Sequence, residues 1–180
     1  MADEDYKLVE SFLDGNEGAF NKIVYKYQQK IYWHARRMIG NHLDADEITQ
    51  EVLIVLYKKL KLFKFKSSLY TWIYSITSRR SINYIKRSKI KELFTSESSE
   101  TMNLVSHDNV VKNLEDKEKL RKLEKILLKL PVKQREVFIL KNFEELSYNE
   151  ISKITGKSVG GLKANYFYAI KKVTELLGNE

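Results

Sequence analysis

The sequence lacks several features that mark common classes of protein. It has no cysteine, which excludes disulfide bonds and thiolate metal sites. No apolar run approaches the roughly 20 residues that span a bilayer, and residues 1–5 are acidic where a signal peptide is basic. The three histidines are isolated, and neither a glycine-rich phosphate loop nor a carboxylate pair suited to acid–base chemistry is present. The sequence therefore predicts a cytoplasmic protein that is not an enzyme and uses no cofactor or metal.

Residues that favour strands and turns are also scarce. The chain has one proline, seven glycines and no sustained alternation of apolar and polar residues, whereas apolar residues recur with helical spacing almost throughout. The periodicity fades between about Ser88 and Asp116, where a polar, serine-rich stretch cannot repay the entropy of folding. The sequence predicts an all-α protein with two small helical domains, residues 1–88 and 116–178, joined by a flexible linker over residues 89–115.

Acidic residues are missing from one long segment. The formal net charge is +8, yet residues 58–91 contain no Asp or Glu beside eleven Lys and Arg residues. Ordinary protein surfaces mix both signs, so this segment indicates a polyanionic partner. Most of its aromatic residues recur at helical spacing and are expected in the core. Phe65 lies in a short polar stretch instead, where it could stack on an unpaired base or act as a core clamp.

The C-terminal part contains a helix-turn-helix pattern. Ser147 and Glu150 form a capping box, Gly156 supplies a left-handed stop, and Ser158 can cap the next helix after a short turn. In such motifs the second helix enters the major groove. Gly160 and Gly161 would each weaken that helix, which suggests close approach to a phosphate.

The helix predicted from Asp44 to Leu60 begins with polar residues. Asp44 and Glu47 are expected to form its capping box, and Ile48, Val52 and Leu56 its buried stripe. The polar first turns have two interpretations. They complement the helix dipole, or they form a docking site for a partner.

These segments together resemble one known family. The stretches around Leu8 and Phe20, at 44–52, at 71–76 and at 130–135, with the helix-turn-helix, are collinear with the extracytoplasmic-function sigma factors of the sigma-70 family. That resemblance implies a subunit directing RNA polymerase to promoters, with region 2 over residues 1–88 and region 4 over residues 116–178. It implies core RNA polymerase and promoter DNA, duplex and single-stranded, as partners, with an anti-sigma factor as a further partner and no membrane insertion.

The resemblance, taken with the charge pattern, assigns three sets of residues. The core polymerase-binding set is Asp46, Glu47, Gln50 and Glu51. The minus-ten DNA-binding set is Lys64, Phe65, Lys66, Trp72, Arg79, Arg80, Asn83, Lys86 and Arg87. The minus-thirty-five DNA-binding set is Lys157, Ser158, Gly160, Gly161, Lys163, Ala164, Asn165, Tyr168 and Lys171. Arg79, Asn83 and Gly161 depart from the common family pattern, so the promoter sequence is left open.

Two alternatives belong to other classes of protein. A helix-turn-helix repressor or activator would bind DNA independently of polymerase, and a helical RNA-binding protein would also explain the basic segment. A regulator has no need of the Trp72 segment as a single-strand platform. It also usually carries a ligand-binding or dimerisation domain, for which no residues remain.

Overall fold

The computed structural model describes residues 2–94 and 114–178, and all regular structure in these two ranges is helical. The helices in chain order are α1 (Ala2–Leu13), α2 (Glu17–Ile39), α3 (His42–Lys59), a 3-10 turn (Leu60–Leu62), α4 (Leu69–Phe94), α5 (Leu114–Leu128), α6 (Val132–Asn142), α7 (Tyr148–Thr155) and α8 (Val159–Gly178). The all-helical prediction is confirmed. The central part of the predicted linker, residues 95–113, lies outside the described residues. Helix occupies the ends of that span, since α4 runs to Phe94 and α5 begins at Leu114.

The N-terminal domain is a bundle in which α1, α3 and α4 pack around α2. The apolar residues of α2 recur with helical spacing and are buried along one side of the helix, and Gly40 ends the helix in the left-handed conformation with φ of 87°. The capping prediction for α3 is wrong. Asn41 is the N-cap, its side chain accepting hydrogen bonds from the backbone N–H groups of Leu43 and Asp44, so α3 begins two residues before Asp44.

The C-terminal domain contains the predicted helix-turn-helix. The capping box of Ser147 and Glu150 opens α7, and Gly156 ends it with φ of 70°. The Ser158 hydroxyl accepts a hydrogen bond from the backbone N–H of Gly161 at 3.2 Å, capping α8. Each of these predictions is confirmed.

The two domains pack directly against each other through α2 with α5 and α6, and through α4 with α7. Met38 of α2 is fully buried in a cluster whose other buried members, Ile126 among them, all belong to the C-terminal domain. Arg135 of α6 donates to the carbonyl oxygens of Met38, Leu128 and Leu130. Burial lowers the pKa of this guanidinium to about 10. The domains therefore share a core.

Candidate nucleic-acid interface

Helix α8 presents a basic, open face between Lys163 and Lys171. Lys163, Ala164, Tyr168 and Lys171 are exposed, whereas Leu162 is buried against α7. A recognition helix requires this division, because one side must pack on the domain and the other must face the groove. The structure thus brings most of the predicted minus-thirty-five set onto one surface.

Lys157 is an exception within that set. Its ammonium forms an ion pair with Glu136, a carboxylate on α6 that is almost fully buried. An ammonium held by a buried carboxylate has little freedom to reach a phosphate, and its loss would leave that carboxylate unpaired. The geometry gives Lys157 a structural role within the domain.

The two glycines at the start of α8 are not explained by the fold. Both lie outside the positive-φ region, and a Cβ placed on Gly160 would meet no atom within 4 Å. A Cβ on Gly161 would meet only the Ser158 hydroxyl, at 3.2 Å. Neither backbone conformation nor internal packing requires glycine at position 160, and at position 161 the one internal constraint is the close approach to the Ser158 hydroxyl.

Helix α4 carries a second basic face. Arg79, Asn83, Lys86 and Arg87 are all exposed, and their spacing of four, three and one residues places them on one side of the helix. Arg80 lies beside this face, where its guanidinium forms a salt bridge of 2.8 Å with Glu51 of α3. That contact joins a predicted DNA-binding residue to a predicted polymerase-binding residue.

The loop before α4 holds Phe65 in an unusual backbone conformation. Its φ is 55°, in the left-handed region that costs a residue with a side chain roughly 1–2 kcal/mol. The ring is 37% exposed and packs at 5.2 Å on Tyr6 and at 5.0 Å on Phe63. The Tyr6 hydroxyl donates to the carbonyl oxygen of Ser67, which ties α1 to this loop. Lys64 and Lys66 flank the ring and are exposed.

Trp72 follows the same loop on α4. It is half-buried and packs on the buried Phe63 at 5.3 Å. Its exposed part lies on the same domain as Phe65 and the basic face of α4. The loop and the helix thus offer aromatic and cationic groups together, which is the combination that single-stranded nucleic acids favour.

The exposed side of α3 is amphipathic. Asp46, Glu47 and Gln50 are exposed as predicted. The pattern of residues gave no indication of Leu43 and Ile54, which are 66% and 53% exposed on the same side of the helix. Large apolar side chains exposed beside a polar patch are typical of a protein-binding surface, and this observation favours docking over helix-dipole compensation.

Burial controls protonation near the domain interface. His34 of α2 is fully buried and its Nε2 lies 3.1 Å from the Ser78 hydroxyl. Burial, with a smaller contribution from the positive charge of Arg37, lowers the pKa of His34 to about 3. The imidazole is therefore neutral at physiological pH. Burial also raises the pKa of Tyr74, which stays a neutral hydrogen-bond donor.

Comparison with known proteins gives consistent matches along the chain. Residues 23–90 match sigma-70 region 2 and residues 120–173 match sigma-70 region 4. The ECF RNA polymerase sigma factor SigW of Bacillus subtilis is 31% identical over 87% of this chain and 88% of its own length. The ECF RNA polymerase sigma-E factor of Escherichia coli is 29% identical over 92% of this chain and 90% of its own.

A solved structure shows the same fold. The sigma factor RpoE of Bartonella quintana, in complex with the anti-sigma factor NepR, superposes with a TM-score of 0.77. It is 21% identical, and the match covers 88% of this chain and 96% of that one. The two-domain helical architecture is therefore shared with this protein.

These matches define the class as a sigma-70-type transcription initiation factor built from regions 2 and 4. Within that class, the chain belongs to the ECF RNA polymerase sigma factors. This membership decides against the independent DNA-binding regulator and the RNA-binding protein. Across the described ranges, no helix combines the length and hydrophobicity needed to cross a membrane.

Proposed function

We propose that this chain acts in the cytoplasm, without catalysis of its own, by binding core RNA polymerase and directing it to promoters with minus-ten and minus-thirty-five elements. The observation that carries the proposal is the presence of two separate basic surfaces, on α4 and α8, beside an amphipathic α3 surface free of such charge. Two surfaces suit two DNA elements, and the third suits a protein.

The α3 surface would bind the clamp of the largest polymerase subunit. Asp46, Glu47 and Gln50 would provide the polar contacts, and Leu43 and Ile54 would supply apolar area at the centre. Glu51 would act indirectly as well, because its salt bridge holds Arg80 at the edge of the DNA-binding face.

The N-terminal domain would also open the minus-ten element. Phe65 offers a partly exposed ring for a flipped base, worth about 1–3 kcal/mol by stacking. Arg79, Asn83, Lys86 and Arg87 would follow the phosphates along α4. The left-handed backbone at Phe65 supports this role, since strained residues concentrate at binding sites.

The C-terminal domain would read the minus-thirty-five element as duplex. Lys163 and Lys171 would contact phosphates, and Gly160 would let the backbone of α8 approach the DNA closely. Asn165 is less available than predicted, because its side chain donates to the carbonyl oxygen of Gly161. Tyr168 is exposed and free of such a bond to the helix backbone.

An anti-sigma factor would regulate the chain. The Bartonella quintana relative was solved with the anti-sigma factor NepR, and this similarity supports a partner of the same kind here. Such a partner would need to cover the α3 surface or one of the DNA-binding faces.

Holoenzyme assembly tests the proposal. Substituting lysine for both Gln50 and Glu51 reverses the charge of the α3 surface without touching the buried stripe, so binding to core RNA polymerase should be lost while helicity is retained. Substituting lysine for the exposed Glu10 of α1 and Gln28 of α2 adds the same amount of positive charge and provides a charge-matched control. Competition for core enzyme measures the effect, and equal competition by the Gln50/Glu51 variant and the parent would contradict the proposal.

A further inference from the structure

Helix α1 contacts the loop that carries Phe65, although α1 lies outside the segment that matches sigma-70 region 2. That match begins at residue 23, whereas α1 ends at Leu13. In the fold, α1 packs on α2, and its Tyr6 contacts residues 63–68, which we call the Phe65 loop. The candidate minus-ten site is therefore built partly from a helix that the match does not include.

Tyr6 contacts the Phe65 loop in two ways. Its hydroxyl donates a hydrogen bond of 3.2 Å to the carbonyl oxygen of Ser67. Its ring packs edge-on against the ring of Phe65, with 5.2 Å between the two ring centroids. One side chain thus holds both the backbone of the loop and the ring that is proposed to receive a base.

Hydrogen bonds at the two ends of the loop are local, whereas the bond from Tyr6 is not. The N–H group of Phe63 donates to the carbonyl oxygen of Leu60, and the hydroxyl of Ser68 accepts from the N–H group of Thr71. The bond from Tyr6 joins residues 61 positions apart in the sequence. It therefore fixes the loop relative to the rest of the domain.

The backbone of the loop needs this support. Phe65 has φ of 55°, a left-handed conformation that a side chain disfavours, and such a conformation persists only where surrounding contacts determine it. The edge-on contact with Tyr6 and the packing of the buried Phe63 at 5.0 Å hold the ring in its orientation. Loss of either contact would let the ring take up other orientations.

The residue before Tyr6 anchors α1 to the domain. Asp5 is 3% exposed, its Oδ1 accepts from the ammonium group of Lys26 at 2.6 Å, and its Oδ2 accepts from the hydroxyl of Tyr27 at 2.6 Å. A hydrogen bond between an ammonium and a carboxylate is charge-assisted and stronger than a neutral one. Val9, one turn later, is fully buried in the N-terminal core. The Tyr6 hydroxyl is therefore a fixed point against which the loop is held.

We propose that Tyr6 is a positioning residue for the minus-ten strand, which holds the Phe65 loop in the conformation that receives an unpaired base. The inference rests on the proposed function of Phe65. Tyr6 acts through the loop, so it sets the fraction of molecules in which the Phe65 ring is ready to stack on a base. The apparent affinity for the strand is proportional to that fraction.

Binding of single-stranded DNA tests the proposal. The probe is a fluorescent oligonucleotide that the parent selects from a randomised single-stranded pool, and fluorescence anisotropy measures its affinity. Tyr6→Phe removes only the hydroxyl, leaves the Ser67 carbonyl oxygen without its donor, and should weaken binding about fivefold. Tyr25→Phe is the matched control, because it removes the same group from a side chain that is 83% exposed on α2, and it should bind as the parent does.

A double-mutant cycle separates positioning from a general effect on stability. In a Phe65→Ala background there is no ring to position, so adding Tyr6→Phe should weaken binding by less than about twofold. Thermal melting checks that each variant is folded, and binding of duplex DNA through α8 should be the same for Tyr6→Phe and the parent. A loss of about fivefold in both backgrounds would overturn the positioning role.

The Phe65→Ala variant by itself distinguishes this inference from the proposed function. If it binds the selected strand as tightly as the parent does, the proposed role of Phe65 fails and the positioning role fails with it. If it binds more weakly and Tyr6→Phe does not, the proposed role of Phe65 stands and only the inference about Tyr6 is overturned.

Discussion

Replacing Gly160, in the first turn of α8, by alanine should raise the stability of the protein and weaken its binding to DNA. The substitution Gly160→Ala places a methyl group where no protein atom lies within 4 Å, and the backbone there is already outside the positive-φ region. Alanine is favoured over glycine in helices by up to about 1 kcal/mol, and less at a helix start, so the variant should gain about 0.5 kcal/mol of stability. Its melting temperature should rise by about 1–2 °C.

DNA binding should change in the opposite direction. If the backbone of α8 approaches a phosphate at Gly160, the added methyl group displaces that contact, and a lost hydrogen bond to a charged group costs about 1.5 kcal/mol or more. This corresponds to an affinity about tenfold weaker. The assay is fluorescence anisotropy with duplexes that the parent selects from a randomised pool, at fixed salt.

Gly178 provides the control at the other end of the same helix. A Cβ there also meets nothing within 4 Å, so Gly178→Ala should be stable and should bind DNA as the parent does. A Gly160→Ala variant that melts higher and binds with unchanged affinity would refute close backbone approach. DNA binding would then not explain the glycine at position 160.

Three further predictions concern a cation, an aromatic ring and a histidine. Lys163→Ala should reduce the slope of log affinity against log salt by about 0.9. Lys157→Ala should leave that slope unchanged and should destabilise the fold by about 1–3 kcal/mol, because the buried Glu136 loses its ion-pair partner. The same slope for both variants would show that the recognition face is assigned wrongly. Phe65→Gly and Phe65→Ala should both weaken binding of a single-stranded minus-ten strand by about 1–3 kcal/mol. Phe65→Gly should have a higher melting temperature than Phe65→Ala, because glycine removes the left-handed strain at this position. Loss of binding only in proportion to unfolded protein would favour the core clamp. For His34, whose folded pKa is about 3, the unfolded chain takes up a proton below about pH 6.5 and the folded chain does not. Stability should therefore fall between about pH 6.5 and 3, by up to about 1.4 kcal/mol per pH unit, and urea unfolding of His34→Gln should show a shallower dependence; an identical dependence would contradict the burial argument.

Local features of the fold follow from the sequence because they depend on neighbouring residues. The capping box of Ser147 and Glu150 and the left-handed stops at Gly40 and Gly156 each involve groups within a few positions. The start of α3 was not predicted correctly, although it too depends on neighbouring residues. Asn41 and Asp44 are both good caps, and only the backbone geometry after Gly40 selects Asn41.

The surfaces were predictable in part. Spacing alone brings Arg79 and Asn83 to one face of α4, because helical periodicity is a local property. It could not reveal that Lys157 is held by Glu136, or that Leu43 and Ile54 stay exposed beside the polar patch. Those facts depend on which other helix covers each face.

The class of protein, the helices and a set of candidate binding residues could be predicted from the sequence, since periodicity, caps and charge depend on residues that are close together in the chain. The position of Tyr74 could not be predicted, because this side chain of α4 is buried among residues of the C-terminal domain that are more than 60 positions away in the sequence. Helical spacing shows that a side chain is buried, but it does not show against what. Contacts between distant segments depend on shape complementarity and shared hydrogen bonds, which exist only once both surfaces are formed.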